Sequence, residues 1–457
     1  MSAAIETTGS GAMPDAPSPR WVALAEGPAG RSFAFDGHGH IALDTFLAEV
    51  RGVAAGLPQA AFAINLCEDR YRFLVAFCAA AVRGQVNLLP PSRTPAVIED
   101  VRRQYPDSYC IADVRLSPAP PRMHALPERL PREHGPALEV DAGALAMIGF
   151  TSGSTGTPKS NPKTWGSLRT STAQNTAALR HLWPEAEVLP IVATVPPQHM
   201  YGMELSVLMP LLASAAVHGG RPFFPEDVAH ALGHATAPAL LVTTPVHLRA
   251  LVESGIALPP LAGIVTATAP LPQALAAAAE QTFGCEVREM FGSTETCVIA
   301  HRRTARDDFW QCLPGVQLQP QPDGTMVIAP HLPAPVALAD LVELRGEGRF
   351  QLCGRQSDLL EIAGKRASLG DLTRRLLMVP GVIDGVMLQL DACDVTGVRR
   401  IAALAVVAPG LDVAAILEAL RNSVDPIFLP RRLRIVDALP RNDTGKLPRE
   451  ALLRSLG

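Results

Sequence analysis

Residues 150–159 read Phe150-Thr-Ser-Gly-Ser-Thr-Gly-Thr-Pro-Lys159, and the rest of the chain is best read outward from them. The run is rich in hydroxyls and glycine and closes on a lysine. The segment before it, Ala144-Leu-Ala-Met-Ile-Gly-Phe150, is apolar enough for a buried strand. A strand feeding such a loop makes a phosphate cradle. Glycines let the backbone approach closely, exposed N–H groups and hydroxyls donate, and the lysine adds a positive charge. Four hydroxyl residues in five positions (Thr151, Ser152, Ser154, Thr155) exceed what a plain turn requires. The loop does not follow G-x-x-x-x-G-K-[ST]. Lys159-Ser160 is preceded by Pro158, which removes a donor and fixes φ, and the nearest glycines are Gly153 and Gly156. That argues against a P-loop kinase or ATPase.

A chain of 457 residues is too long for one ordinary core, so two or three domains are expected. A hydrophobic content of 48% with 18% charged residues is ordinary for a globular enzyme. The net charge is −4 and no basic stripe with interleaved aromatics appears, which argues against nucleic-acid binding. Cysteines stand at 67, 78, 110, 285, 297, 312, 353 and 393, with no C-x-x-C pair. Reduced thiols in a cytoplasmic protein fit this better than zinc or disulfides. Residues 1–20 are rich in Ala, Ser, Pro and Gly and read as a disordered tail, not a signal peptide. The longest apolar stretch, residues 205–217, contains Ser and Pro and is too short to span a bilayer, so no integral membrane segment is expected.

Strand-like and helix-like segments alternate along the first 320 residues. Residues 60–66, 85–89, 108–112, 188–195, 239–243 and 264–266 read as strands, and 72–83 and 95–105 as helices. This rhythm predicts layered α/β structure with mostly parallel sheet. Beyond about residue 320 short strands follow at 325–329, 341–344 and 349–352. The remainder reads as a small α+β domain, with strands at 385–390 and 401–407 and helices at 369–377 and 413–423. The expected division is a large domain over 21–354, a hinge at 355–358 and a small mobile domain over 359–457. Two lobes imply a cleft, where ligands prefer to sit.

The run at 150–159 resembles the phosphate loop of the adenylate-forming superfamily, which contains acyl-CoA synthetases, aryl-CoA ligases, luciferases and peptide-synthetase adenylation domains. Its usual form there is Y/F-T-S-G-S/T-T-G-x-P-K. Further segments match in the superfamily's order. Met290-Phe-Gly-Ser-Thr-Glu295 is similar to Y-G-x-T-E, with Phe291 in place of tyrosine. Asp340 and Arg355 have the spacing of the T-G-D…G-R pair, although Leu338-Ala339 replace the T-G. Residues 439–449, Leu-Pro-Arg-Asn-Asp-Thr-Gly-Lys-Leu-Pro-Arg, resemble the C-terminal P-x-x-x-x-G-K. Residues 197–204 resemble the H-x-x-G segment of acyl- and aryl-CoA synthetases, and Thr266-Ala-Thr-Ala-Pro270 the small-residue loop beside the adenine and acyl pockets.

The resemblance implies a role for each matching residue. Thr151, Ser152, Gly153, Ser154, Thr155, Gly156 and Lys159 hold the phosphates of ATP. Phe291 and Gly292 lie against adenine with Thr268 and Ala269. Thr294 contacts the α-phosphate, and Glu295 holds Mg²⁺, as befits a hard oxygen ligand. Asp340 accepts from the ribose hydroxyls with Arg355 in support. His199 sits near the substrate carboxylate, and Gly202 leaves room for the acyl group. Lys446 is the catalytic lysine that crosses the cleft for adenylation and leaves for the second half-reaction. Gly364-Lys-Arg366 resembles the G-x-R loop that enters for that second step. Ser357 stands where many relatives carry Asp or Lys at the hinge.

The implied activity is adenylation of a carboxylic acid by Mg²⁺-ATP, then thioester formation. Segments at 90–94, 161–165, 222–225 and 364–368 are similar to ligases of bacterial aryl-polyene and xanthomonadin-type pigment pathways. Those load a hydroxybenzoate-type starter onto an acyl carrier protein. A small aromatic acid and a phosphopantetheinyl carrier protein are therefore the expected partners, with coenzyme A as the alternative thiol. Residues 297–301 are expected along the pocket, with Tyr201 or His301 as candidates to meet a ring hydroxyl. Arg374, Arg375, Arg399, Arg400, Arg431, Arg432 and Arg434 suggest a basic docking face on the small domain.

Overall fold

The computed structural model describes residues 20–151, 159–182, 188–322, 324–355, 359–362, 365–393, 399–441 and 447–457. The expected tail and the expected hinge residues 356–358 lie outside these.

The apolar segment ahead of the quoted loop forms the strand Leu145–Thr151, buried from Ala146 to Phe150. It pairs antiparallel with Lys159–Thr164 and parallel with Val86–Leu89, which in turn lies beside Phe62–Asn65. Ser108–Ala112 and Met123–Ala125 complete a six-stranded sheet that is parallel apart from the one hairpin. The strand Lys159–Thr164 was not expected, because Pro162 lies within it. It occupies the sheet edge, where a residue without an N–H is tolerated.

A second sheet has eleven strands. Its middle, from Val287–Ser293 through Leu261–Thr266, Ala239–Thr243, Leu189–Ala193 and Ala215–His218 to Ser32–Asp36, is parallel. Antiparallel strands continue it at both ends. Alternate side chains enter different cores, as the period of two requires. Ile191, Ala193, Leu240, Val242 and Val265 join the core shared with the first sheet's helices. Val192, Leu241 and Ile264 face the opposite way. There the helices Pro225–Gly233, Pro245–Ser254 and Gln273–Phe283 cover them. The two last helices end on Gly255 and Gly284, at φ of 66° and 64°, a left-handed stop that glycine adopts without strain.

The smaller domain has cores of its own. In the strand Arg399–Val407, Ile401, Ala403 and Ala405 pack with the helices Leu369–Leu377 and Val413–Arg421. Ala402 and Leu404 pack on the other face with Leu452 and Leu456 of the last helix. The α/β expectation, with a large domain followed by a smaller one, is met. No helix among the described residues is long and apolar enough to cross a membrane. Among the described residues, Cys67, Cys78, Cys110, Cys285, Cys297, Cys312 and Cys353 are free thiols.

Candidate active site

The hairpin sets Thr151 and Lys159 opposite one another, so both ends of the 152–158 loop are fixed by backbone pairing. Ser152, Gly153, Ser154, Thr155 and Gly156 themselves lie outside the described residues. The second motif packs directly on the hairpin. A Cβ placed on Gly149 would stand 3.0 Å from the Thr294 methyl, so glycine permits the approach. The Thr151 hydroxyl is 3.5 Å from Glu295 Oε1. Two segments 144 residues apart thus present hydroxyl and carboxylate oxygens at one place.

The strand Val287–Ser293 runs into the 290–295 motif and carries its first four residues. Phe291 is paired with Ala300 on the neighbouring strand. Its half-buried ring lies 5.3 Å from Trp310 and 6.0 Å from Phe350. At Gly292 any side chain would collide with the Cys297 carbonyl. The turn that follows holds Glu295 half-buried and places Cys297 at φ 60°, a strained conformation for a residue with a side chain.

The spacing of Asp340 and Arg355 has a simple origin. They are direct partners across the hairpin of Asp340–Gly346 and Arg349–Arg355. That hairpin joins the eleven-stranded sheet beyond Trp310, against which Phe291 packs. The Arg355 side chain, Gly364 and Lys446 lie outside the described residues.

His199 opens the short helix Met200–Met203 at its N-cap, without a capping hydrogen bond from its ring. The segment around it is held by buried polar groups. Arg70, with no exposure, donates to the carbonyls of Ala193 and Val195 at 2.9 and 2.8 Å and to the Ser206 hydroxyl. The Tyr201 hydroxyl donates to the Val265 carbonyl at 2.7 Å. It is therefore spent on the scaffold, which corrects its candidacy as a contact for a ring hydroxyl. His301 lies 3.2 Å from Arg288, whose guanidinium also bonds Glu286. Burial, aided by Arg288, lowers the His301 pKa to about 4. Its Nδ1 is engaged in this charge cluster.

Gly202 permits a close crossing, since a Cβ there would strike the Pro196 carbonyl. Gly202→Ala is expected to cost about 1–3 kcal/mol in an unfolding titration, as overpacking does. An unchanged midpoint would mean that Pro196 yields freely. Thr268, in the 266–270 loop, sits at φ 81°. Strain at a β-branched residue in a loop marks a place that the surroundings over-determine. The loop's exit is fixed by Glu289, which accepts from Leu271 N at 2.8 Å, Arg302 at 2.7 Å and the Thr304 hydroxyl at 2.7 Å.

Sequence reading did not find Lys163, Glu204 or Glu289. Lys163 Nζ donates to the Glu295 carbonyl at 2.6 Å. Glu204 accepts from Ser171 at 2.6 Å and from Asn175 and Val298 N at 3.0 Å each. Burial raises the Glu204 pKa, while these donors and Lys163 oppose the rise. A lone acid in the apolar run 200–212 was the available signal.

Thr151 and Glu295 offer oxygen donors only. Mg²⁺ usually takes one or two carboxylates and completes its shell with phosphate oxygens and water. Among the described residues no group of three or more His, Cys, Asp or Glu could hold a metal unaided. The oxygen donors of Thr151 and Glu295 suit Mg²⁺.

Residues 56–328 match the family of AMP-binding enzymes. The chain is 33% identical over 324 residues to a 4-coumarate–CoA ligase of Rhodobacter capsulatus, covering 69% of this chain and 78% of that one. The fold is similar to ATP-bound MatB from Rhodopseudomonas palustris, with a TM-score of 0.77 at 18% identity over 93% and 96% of the two chains. It is also similar to o-succinylbenzoate CoA synthetase from Bacillus subtilis bound to its acyl adenylate. There the TM-score is 0.75 at 19% identity, covering 91% and 94%.

Proposed function

We propose that this chain, which belongs to the AMP-binding enzyme family, activates a small aromatic carboxylic acid and passes it to a phosphopantetheine thiol. The coarser activity is ATP-dependent carboxylate adenylation by an AMP-forming acid–thiol ligase. The observation that carries the finer assignment of residues is the meeting of Thr151, Thr294 and Glu295 across two sheets.

In this reading the loop 151–159 holds the β- and γ-phosphates. Thr294 meets the α-phosphate, and Glu295 with the Thr151 hydroxyl would hold Mg²⁺. When bound, that cation offsets phosphate charge. Phe291 flanks adenine, with Gly292, Thr268 and Ala269 beside it. Asp340 and Arg355 take the ribose. His199 and Gly202 border the acid. An oxygen of the substrate carboxylate attacks the α-phosphorus, the bond to the β-phosphate's bridging oxygen breaks, and pyrophosphate leaves. Lys446, from the small domain, stabilises the charge at phosphorus. The domain over 359–457 then turns about 355–358, and the thiolate attacks the acyl carbonyl. The bond to AMP breaks, giving thioester and AMP.

An aromatic acid is supported by the likeness to a relative named as a 4-coumarate–CoA ligase and by the pigment-ligase segments of the sequence. ATP–pyrophosphate exchange over a panel of acids tests this. A hydroxybenzoate is expected to exceed palmitate, and the reverse order would remove the aromatic assignment.

For the acceptor, a carrier protein is supported by exposed Arg431, Arg432 and Arg434 along the strand Arg432–Ile435 and its approach. Carrier proteins of this type are acidic, and charge complementarity steers such encounters. Arg374 and Arg375 contribute less than expected, since both bond Asp371. Coenzyme A is the second reading, favoured by relatives named as CoA ligases. Replacing Arg431 and Arg432 by Glu is expected to raise KM for a holo-carrier protein several-fold while pyrophosphate exchange is unchanged. Faster loading of free coenzyme A than of any holo-carrier protein from the same genome would make the enzyme an aryl-CoA ligase.

A further inference from the structure

The geometry points to Lys163 and Glu204 as positioning residues that hold the Glu295 carboxylate from behind, and the inference rests on Glu295 being the carboxylate for the nucleotide's Mg²⁺. Both are almost fully buried, at 5% and 1% exposure. A buried cation and a buried anion are costly unless each is paired and hydrogen-bonded. Here the pair is spent on one short turn. Lys163 fastens the carbonyl of Glu295 at 2.6 Å, and Glu204 fastens the N–H of Val298 at 3.0 Å. Between these anchors lies Cys297 at φ 60°. The clamp thus grips the backbone on both sides of a strained residue, two positions after the carboxylate that must be aimed.

Other buried groups complete the grip. His331 bonds the Thr296 carbonyl at 2.7 Å through Nε2, and its Nδ1 meets Gln174 at 2.6 Å. Ser171 and Asn175 saturate the Oε1 of Glu204, leaving its Oε2 for Val298. The two charges also come from informative places. Lys163 lies on the phosphate hairpin, four residues after Lys159, and Glu204 lies two residues after Gly202 in the acid-pocket segment. The turn that carries Glu295 is therefore tied at once to the phosphate hairpin and to the acid-binding segment. Without the ties Cys297 relaxes from its left-handed conformation, and the Glu295 oxygens leave their position opposite Thr151.

Removing either charge alone leaves its partner buried and uncompensated, so the double variant Lys163→Met with Glu204→Gln is the primary test. Binding of α,β-methylene ATP, which cannot be cleaved between the α and β phosphates, is followed by calorimetry at graded Mg²⁺. The Mg²⁺ concentration for half-maximal binding is expected to rise about tenfold or more, as loss of outer-shell support typically causes. Affinity for the analogue without metal stays at the parental value. A purely structural role would weaken both together. A folded double variant with the parental Mg²⁺ midpoint overturns the inference, as does an equal loss with and without metal. Should the double variant fail to fold, Glu204→Gln alone carries the same expectation and the same contrary results. Glu295→Gln runs alongside. A shift there without one in the double variant overturns the positioning role only. A parental midpoint in Glu295→Gln removes the premise and overturns both.

Discussion

Replacing Lys446 by alanine is expected to slow pyrophosphate exchange by about two to three orders of magnitude, the usual effect of deleting one preorganised charge at a developing anion. Thioester formation from supplied acyl adenylate stays near the parental rate. The asymmetry follows from the assigned geometry of the two steps. In the first, charge accumulates on the oxygens around the α-phosphorus, and a fixed ammonium group lowers the barrier because it need not reorganise. In the second, the proposed reading has the small domain turned and the lysine withdrawn, so its loss is expected to be silent. Single-turnover measurement of both half-reactions decides the matter. Equal loss in the two would mean that Lys446 supports the fold or binding in general.

Glu295→Gln is expected to lower the adenylation rate about tenfold to a hundredfold at low Mg²⁺, with partial recovery as Mg²⁺ is raised. The amide keeps the shape of the side chain but is a neutral and poorer ligand for a hard cation. The backbone anchors are untouched, because Lys163 bonds the Glu295 carbonyl and not its carboxylate. The substitution therefore isolates ligand charge from loop position. A variant whose Mg²⁺ dependence equals that of the parent would exclude Glu295 as the ligand.

The features legible in the sequence share a cause, and so do those that were not. The strand Leu145–Thr151 could be read because its apolar composition is local and bounded by a hydroxyl- and glycine-rich run. Asp340 and Arg355 were paired through the family's spacing alone, and the structure supplies the reason, since two adjacent strands place them opposite each other. The helices and strands of the large domain followed from periodicity, as at Phe62–Asn65, Arg70–Val82 and Val86–Leu89. Lys163, Glu204 and Arg70 were not legible as a set, because their roles exist only between segments distant in sequence. Arg70 meets carbonyls 123 and 125 residues away, and Glu204 meets Val298 94 residues away. Tyr201 was misread for the same reason, as its hydroxyl is satisfied by a carbonyl 64 residues on. Pro162 concealed a strand, because edge position is decided by the sheet and not by the residue.

The central claim is that carboxylate oxygen reaches the α-phosphorus of ATP at the site formed by Thr151, Thr294 and Glu295. Isotope transfer tests it most directly. The acid that performs best in pyrophosphate exchange is prepared with ¹⁸O in its carboxylate and turned over with ATP and thiol. The account predicts that one ¹⁸O per turnover appears in AMP by mass spectrometry, with pyrophosphate unlabelled. Label in inorganic phosphate, with ADP as the nucleotide product, would show attack on the γ-phosphorus and contradict it.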